Sequence, residues 1–308
     1  MSVYAAGIDL GGTRLKFAAV SDAGDVLLRT TVPTGETRGD WIAAAGAEIA
    51  GAEAELGPAT AVGVASPGLA ARNQRTIAWM QGRMAAVQDL DWTEALGSRK
   101  FVPVMNDAHA ALLGETWCGA ARNCANALLL TLGTGVGGAA MVDGQLLRGH
   151  IGRAGHLGHI SLDACGELDI TGTPGSLEDA IGECTILARS SGRFASTEEL
   201  LIAGANGDAH AREVWVSSVN ALAAGLTSLI NVLDPETILL GGGISNAGSA
   251  LIEPLARRLN ETEWRPTGGR VNLVFAALGD WAGAIGAARN GLIMREERSG
   301  GARLVEIK

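Results

Sequence analysis

Residues 153 to 161 read RAGHLGHIS, and two of the chain's five histidines, His156 and His159, stand three apart in it. That spacing sets both imidazoles on one face of a helical turn. There they could form half a metal site, an acid/base pair or a packing contact. A second polar pair, Asn106 and Asp107, closes the apolar run VPVM. A strand end of this kind opens onto a ligand crevice in an α/β sheet. An aspartate there can take a proton from a substrate hydroxyl within hydrogen-bond reach. The same pair suits equally well the N-cap of the helix that follows, AHAALLGE. Three glycine loops complete the set: DLGGT at 9–13, TLGTGVGG at 131–138 and LLGGGIS at 239–245. Glycine lets backbone N–H groups approach a phosphate closely, although any one such loop is also an ordinary hairpin turn. The P-loop pattern G-x-x-x-x-G-K-[ST] does not occur.

The elements that must position these residues follow from patterning. VYAAGIDLGG reads as a buried strand running into a glycine turn. KFAAVSDAGDVLLRTTVP reads as a hairpin, and RGDWIAAAGAEIAGAEAELG as an amphipathic helix ending at glycine. AVGVASPGL and KFVPVMND are further strands, and AHAALLGETWCG is a helix. ANALLLTLGTGVGGAAMVDGQLLRG repeats the opening theme of strand, glycine turn, strand and hairpin. Helical patterning runs from Ser176 to about Asn231, followed by the strands PETILLGGGIS and VNLVFAALGD and a last helix in AGAIGAARNGLIMREE. One internal repeat stands out. GTRLKFAAV from Gly12 and GTGVGGAAM from Gly133 both begin Gly-Thr and both carry Ala-Ala six residues on; Leu-Leu-Arg follows at 27–29 and 146–148. A duplicated α/β domain explains it, as does chance in a chain with 44 glycines.

Composition narrows the class of partner. With 24 basic and 33 acidic residues, the net charge is −9, a poor match for nucleic acid or an anionic membrane. A chain of 308 residues allows about two domains. Cys118, Cys124, Cys165 and Cys184 form no C-x-x-C pair, which reads as reduced thiols in the cytoplasm. The opening MSVYAAGIDL lacks the pattern of a signal peptide, and no continuous apolar stretch approaches membrane-spanning length.

Taken together, GIDLGGTRLK, MNDAHAALLGE, TLGTGVGG, GRAGHLGH, NVLDPETILLGGGIS and LGDWAGAIGAA resemble, in number and order, the ROK sugar kinases of the actin-like ATPase superfold. The resemblance implies an α/β fold of two ribonuclease-H-like domains with a cleft between them. The small N-terminal domain would span 1–107, completed by a C-terminal helix at about 291–308, and the large domain 108–290. It implies ATP and Mg²⁺ as cofactors, with Asp9 holding the metal through water. Gly11, Gly12, Thr13, Lys16, Gly133, Thr134 and Gly135 would lie near the phosphates, and Gly241, Gly242 and Gly243 near adenosine. Asp107 would be the general base. Asn106, Ser66, Gly137, His156, His159 and Glu178 would lie on the sugar side.

The chain departs from this family at the histidines. Family members read G-E-x-G-H and then a zinc motif, C-x-C-G-x-x-G-C-x-E. Here His156 stands where the glutamate would, and His159 matches the family histidine. DITGTPGSLE keeps Gly172, Gly175 and Glu178 but places Asp169, Thr171 and Ser176 at the three cysteine positions. Hydroxyls are poor zinc ligands, so no structural zinc is expected. His159 is then a sugar-hydroxyl partner that could also reach Glu178. His156 as a neutral ring can both donate and accept, unlike a glutamate, or it turns away and packs. Near TIAWMQGRM, Arg83 or Gln81 replaces a family asparagine: an arginine in the pocket would suit an anionic substrate, whereas an arginine in such a loop is ordinarily exposed.

The expected activity is therefore an ATP-dependent kinase acting on a hexose hydroxyl, by family analogy the 6-hydroxyl of glucose or a related sugar. The partner is a small-molecule sugar, with no nucleic acid and no membrane, in a homodimer. A kinase for an N-acetylhexosamine or a cyclitol, a polyphosphate donor, and a non-catalytic sugar sensor stay open. The repressor branch of the family would need a DNA-binding domain before β-strand GIDL, for which Asp9 leaves no room in this sequence.

Overall fold

Short apolar runs ending in glycine or a polar pair form the strands, and the stretches between them the helices, in a computed structural model that describes residues 3–299. In chain order these are β1 (Tyr4–Leu10), β2 (Arg14–Ser21), β3 (Val26–Pro33), α1 (Arg38–Leu56), β4 (Ala61–Ser66), β5 (Leu69–Ala70), β6 (Ile77–Trp79), α2 (Trp92–Ala95), β7 (Val104–Asn106), α3 (Asp107–Cys118), β8 (Ala127–Leu132), β9 (Val136–Val142) and β10 (Gln145–Leu146). There follow α4 (Leu177–Ile181), α5 (Ile186–Arg189), α6 (Thr197–Ala205), α7 (Ala209–Leu233), β11 (Thr237–Gly241), α8 (Ser249–Thr262), β12 (Asn272–Phe275) and α9 (Ala282–Ser299). The helical run from Ser176 is thus broken into four pieces, and the part of the expected C-terminal helix at 300–308 lies outside the described residues.

The chain divides into two units. Of the described residues, the first holds those up to Arg122, the segment Arg148–Arg153 and those from Asp280 to Ser299. Its sheet runs β3-β2-β1-β4-β7, with β1, β2 and β3 antiparallel and β1, β4 and β7 parallel. Tyr4, Ile8, Phe17, Trp41, Val64 and Trp92 are buried in its core. Helix α9 lies against β1, β4 and α3, and small residues permit the approach. A Cβ on Gly7 would stand 1.8 Å from the Ala284 carbonyl oxygen, and one on Gly286 would stand 1.7 Å from that of Ala110. The last helix begins at Ala282, as AGAIGAARNGLIMREE suggested, but this packing keeps α3 and the whole of α9 in the first unit, where the sequence suggested a domain break at Asp107 and a return near 291.

The second unit comprises Asn123–Leu147 and Ala154–Gly279. Its sheet runs β10-β9-β8-β11-β12, the same order of antiparallel hairpins followed by parallel strands as in the first unit. The short repeat at Gly12 and Gly133 therefore marks two copies of one topology. Helix α7 is long and apolar enough, by length and composition, to cross a membrane. Within the unit it turns Val219, Leu222, Leu226 and Ile230 into the core and packs against α4, α6 and α8.

Candidate active site

In the first unit, the parallel pairing places Asp9 opposite Ala65 and Ser66 opposite Asn106. Asp9, Ser66 and the pair Asn106-Asp107 therefore share the carboxyl edge of three adjacent strands, the edge at which open α/β sheets bind ligands. Asn106 is the N-cap of α3: its Oδ1 accepts from the N–H groups of Ala108 at 3.0 Å and His109 at 3.3 Å. Its Nδ2 donates to the Gly68 carbonyl at 3.1 Å, which ties α3 to the Ser66-Pro67-Gly68 turn. The cap leaves Asp107 as the first residue of α3, on the accessible side of the edge. Asp107 Oδ1 accepts from the Ala108 N–H at 2.8 Å.

The electrostatics of this edge are unusual. Burial, then the nearby Asp107 and Asp280, push the Asp9 carboxyl up to about 7, against the lowering effect of Lys16. Lys16 sits opposite Asp9 in the β1–β2 ladder, and its Nζ is 3.7 Å from Asp280. Although Asp107 keeps an accessible face, the protein crowded around it raises its carboxyl above the usual range, despite hydrogen bonds from Ala108 and Asn106. Lys16 thus faces two carboxylates, Asp9 and Asp280, and Asp107 lies close enough to raise Asp9. Such a set favours a cation or a proton among its members, and the oxygen donors suit a magnesium ion. Asp280 escaped the sequence reading, although it lies inside the quoted LGDWAG stretch. A Cβ on Gly283 would come 2.7 Å from Asp9 Oδ2, so α9 begins against this carboxylate.

Next to Asp9 the chain turns through Gly11, Gly12 and Thr13. The turn is closed by a bond from Gly11 N–H to Arg14 O (3.1 Å) and one from Thr34 Oγ1 to Gly11 O (2.7 Å). Among the described residues, the N–H groups of Gly12 and Thr13 donate to no protein acceptor. The second unit repeats the arrangement after β8. Gly133 N–H donates to Gly135 O at 2.9 Å, while the N–H groups of Thr134 and Gly135 have no protein acceptor among the described residues. Free backbone donors on a glycine turn are an anion-binding feature.

This second turn is held from behind. The N–H groups of Glu183 and Cys184 donate to Gly133 O at 3.0 Å and Thr134 O at 2.8 Å, and Val136 N–H donates to Glu178 Oε2 at 2.8 Å. A Cβ on Gly135 would stand 2.3 Å from that same Oε2. Glu178 therefore serves the glycine turn directly. Alongside, Gly241 lies opposite Thr131 in the β11–β8 pairing, and Gly242, at φ 84°, passes so close to Leu132 that a Cβ would be 2.4 Å from its carbonyl oxygen. Gly137 pairs with Thr131 on β9.

The histidine pair lies on a single 3₁₀ turn, Leu157–His159, with His156 as its N-cap. Burial and the neighbouring His159 lower the His156 pKa, so its neutral form is favoured. His159 Nδ1 does not meet Glu178. It lies 2.8 Å from Asp169 Oδ2. The other oxygen, Oδ1, accepts from Thr171 N–H and Thr171 Oγ1, both at 2.8 Å, and from Thr173 N–H at 2.9 Å. Ser176 Oγ is occupied as the cap of α4, accepting from Asp179 N–H at 3.2 Å. One imidazole, one fully engaged carboxylate and two committed hydroxyls do not fit a structural zinc, which takes thiolates and imidazoles. Elsewhere, Gln81 and Arg83 are exposed and Met84 is buried, which matches the ordinary placing of an arginine in such a loop.

A sequence model described as the ROK family matches residues 5–291. A glucokinase of Thermotoga maritima is 32% identical over 320 residues, covering 96% of this chain and 98% of that protein. The crystal structure of a ROK hexokinase from Thermus thermophilus superposes with a TM-score of 0.84 at 30% identity, covering 96% of this chain and all of that one. A ROK glucokinase from Streptomyces griseus, crystallised with glucose and AMPPNP, gives a TM-score of 0.75 at 27% identity, with 94% and 99% covered.

Proposed function

The chain belongs to the ROK family, and from that premise we propose that it is an ATP-dependent hexose kinase that phosphorylates the 6-hydroxyl of glucose or a related hexose. The observation that carries the reading is the acidic edge of the first unit, where Asp9 and Asp107 are both raised in pKa and Lys16 lies opposite Asp9. ATP would supply the phosphoryl group, a bound magnesium ion would neutralise its charge, and Asp9 would hold that ion through water. Asp107 acts as the base. A carboxylate whose pKa lies closer to neutrality accepts a hydroxyl proton more readily than an ordinary one, and the cap at Asn106 holds its backbone in place. Lys16 and the free N–H groups of Gly12, Thr13, Thr134 and Gly135 position the phosphates. Such positioning and charge stabilisation account for most of phosphoryl-transfer catalysis. Glu178, His156 and His159 are the residues assigned to sugar recognition.

The test is ADP release from MgATP against a panel of glucose, mannose, allose, fructose, N-acetylglucosamine and a cyclitol. The expected result is turnover with a hexose that falls by about 10²–10⁴-fold in Asp107→Asn. Undiminished turnover in that variant would remove Asp107 as the base. Sugar binding without turnover of any compound would favour a sensor.

A further inference from the structure

The residues that replace the family's zinc cysteines form a connected group of their own. The Asp169 side chain is fully buried, yet it stands between two exposed neighbours, Leu168 and Ile170. It is aimed inward, against the pattern of its loop, and each of its oxygens has work to do. Oδ1 gathers the donors of Thr171 and Thr173, while the Asp169 N–H donates to Thr173 O at 2.9 Å, so the loop is closed on this one residue. Oδ2 faces the ring of His159, which is 26% exposed.

We propose that Asp169 is a positioning residue that takes over the loop-closing task of the metal and fixes His159 in the tautomer with the proton on Nδ1, so that Nε2 is presented as an acceptor to a sugar hydroxyl. An ionised carboxylate can only accept. Burial alone would raise this carboxyl, but hydrogen bonds from Thr173, His159 and Thr171 outweigh it and hold the group well below the usual carboxylate range. Nδ1 therefore carries the proton in the Asp169–His159 contact. A tautomer set by the partner of the other ring nitrogen is the usual way an imidazole is oriented. A histidine bound to zinc through one nitrogen would also be fixed, but would lose that nitrogen as a hydrogen-bonding group. Here Nδ1 meets the Asp169 carboxylate.

The sugar-facing half of this inference rests on the kinase reading, whereas the tautomer and the metal content do not. The experiment is ¹⁵N-histidine NMR of the full chain without substrate at about pH 8, above the ordinary imidazole range. The chain has only five histidines, and His159→Gln assigns the signal. The expected result is a His159 ring protonated at Nδ1 and bare at Nε2, in protein whose elemental analysis shows no stoichiometric zinc. Asp169→Asn leaves a carbonyl oxygen for Thr171 and Thr173 and turns a donor toward Nδ1. The ring should then switch to the Nε2–H tautomer, and KM for D-glucose should rise by about tenfold with kcat changed far less, the effect of one mismatched hydrogen bond. A His159 ring protonated at Nε2 in the unaltered protein, or one zinc per chain, would overturn the proposal without any variant having to fold. An unaltered KM in a variant that has switched tautomer would overturn its sugar-facing half. Absence of turnover in both proteins would count against the kinase reading and leave the tautomer result standing.

Discussion

At the scale of single residues, the chemistry of this chain lies in carboxylates placed where they ionise with difficulty. Asp9 is the clearest case. Its folded pKa of about 7 lies above the ordinary value of 3.8, so ionising it costs the folded state more than the unfolded state. The sign follows from linkage. Below the ordinary value both states hold the proton and there is no penalty; as pH rises towards 7 the unfolded chain ionises first, and stability falls. Asp9→Asn should therefore stabilise the protein at pH 8 by about 1–2 kcal/mol, less than the full shift because the charge is shared with Asp107 and Asp280 and keeps some solvent. It should leave stability at pH 4 nearly unchanged and remove nucleotide-dependent activity. Urea unfolding at the two pH values checks this, and a loss of stability at pH 8 would show that Asp9 is a structural charge. Asp169 is the opposite kind of carboxylate. Its hydrogen bonds favour the charged form, so the stability it contributes is present above the ordinary value and is lost only as acid carries the pH down through its lowered one.

At the scale of elements, glycine decides which surfaces meet. Gly286→Ala should cost about 3 kcal/mol, because its Cβ would overlap the Ala110 carbonyl of α3, and backbone cannot move aside cheaply. Gly51→Ala in α1 makes the contrast: an added Cβ there meets nothing within 4 Å, and the change should stabilise by about 0.5–1 kcal/mol. Thermal unfolding of the two variants side by side reads both signs. The strands that carry Asp9, Asp107 and Thr134 were legible in the sequence because each is an apolar run stopped by glycine or a polar pair. The Asn106 cap and the second glycine turn were legible for the same local reason. The start of α9 at Ala282 was legible too, but the boundary after α3 and the place of all of α9 in the first unit were not, because AGAIGAARNG shows no strong apolar face and gains its place by lying against Gly7 and Ala110. The Asp169–His159 contact was hidden because it joins residues ten apart across a loop whose spacing pointed to lost cysteines. Asp280 was hidden because its nearness to Lys16 exists only once α9 returns to the first sheet.

At the scale of the whole molecule, one sheet order serves twice. In each unit a β-hairpin bends through a glycine turn with free backbone donors, and parallel strands follow beside it. The first copy adds acids, at Asp9 and Asp107. The second adds none on its turn and is braced by Glu178, Glu183 and Cys184. The two copies thus differ in chemistry: the carboxylates with raised pKa lie in the first unit, and the histidine pair lies in the second. The most direct measurement of this account is a ³¹P NMR balance of the reaction with MgATP and D-glucose. The account predicts one ADP for each hexose phosphate, with the ester on the 6-position, and both products formed about 10²–10⁴-fold more slowly by Asp107→Asn. ADP accompanied only by inorganic phosphate, or glucose that binds and is never phosphorylated, would contradict it.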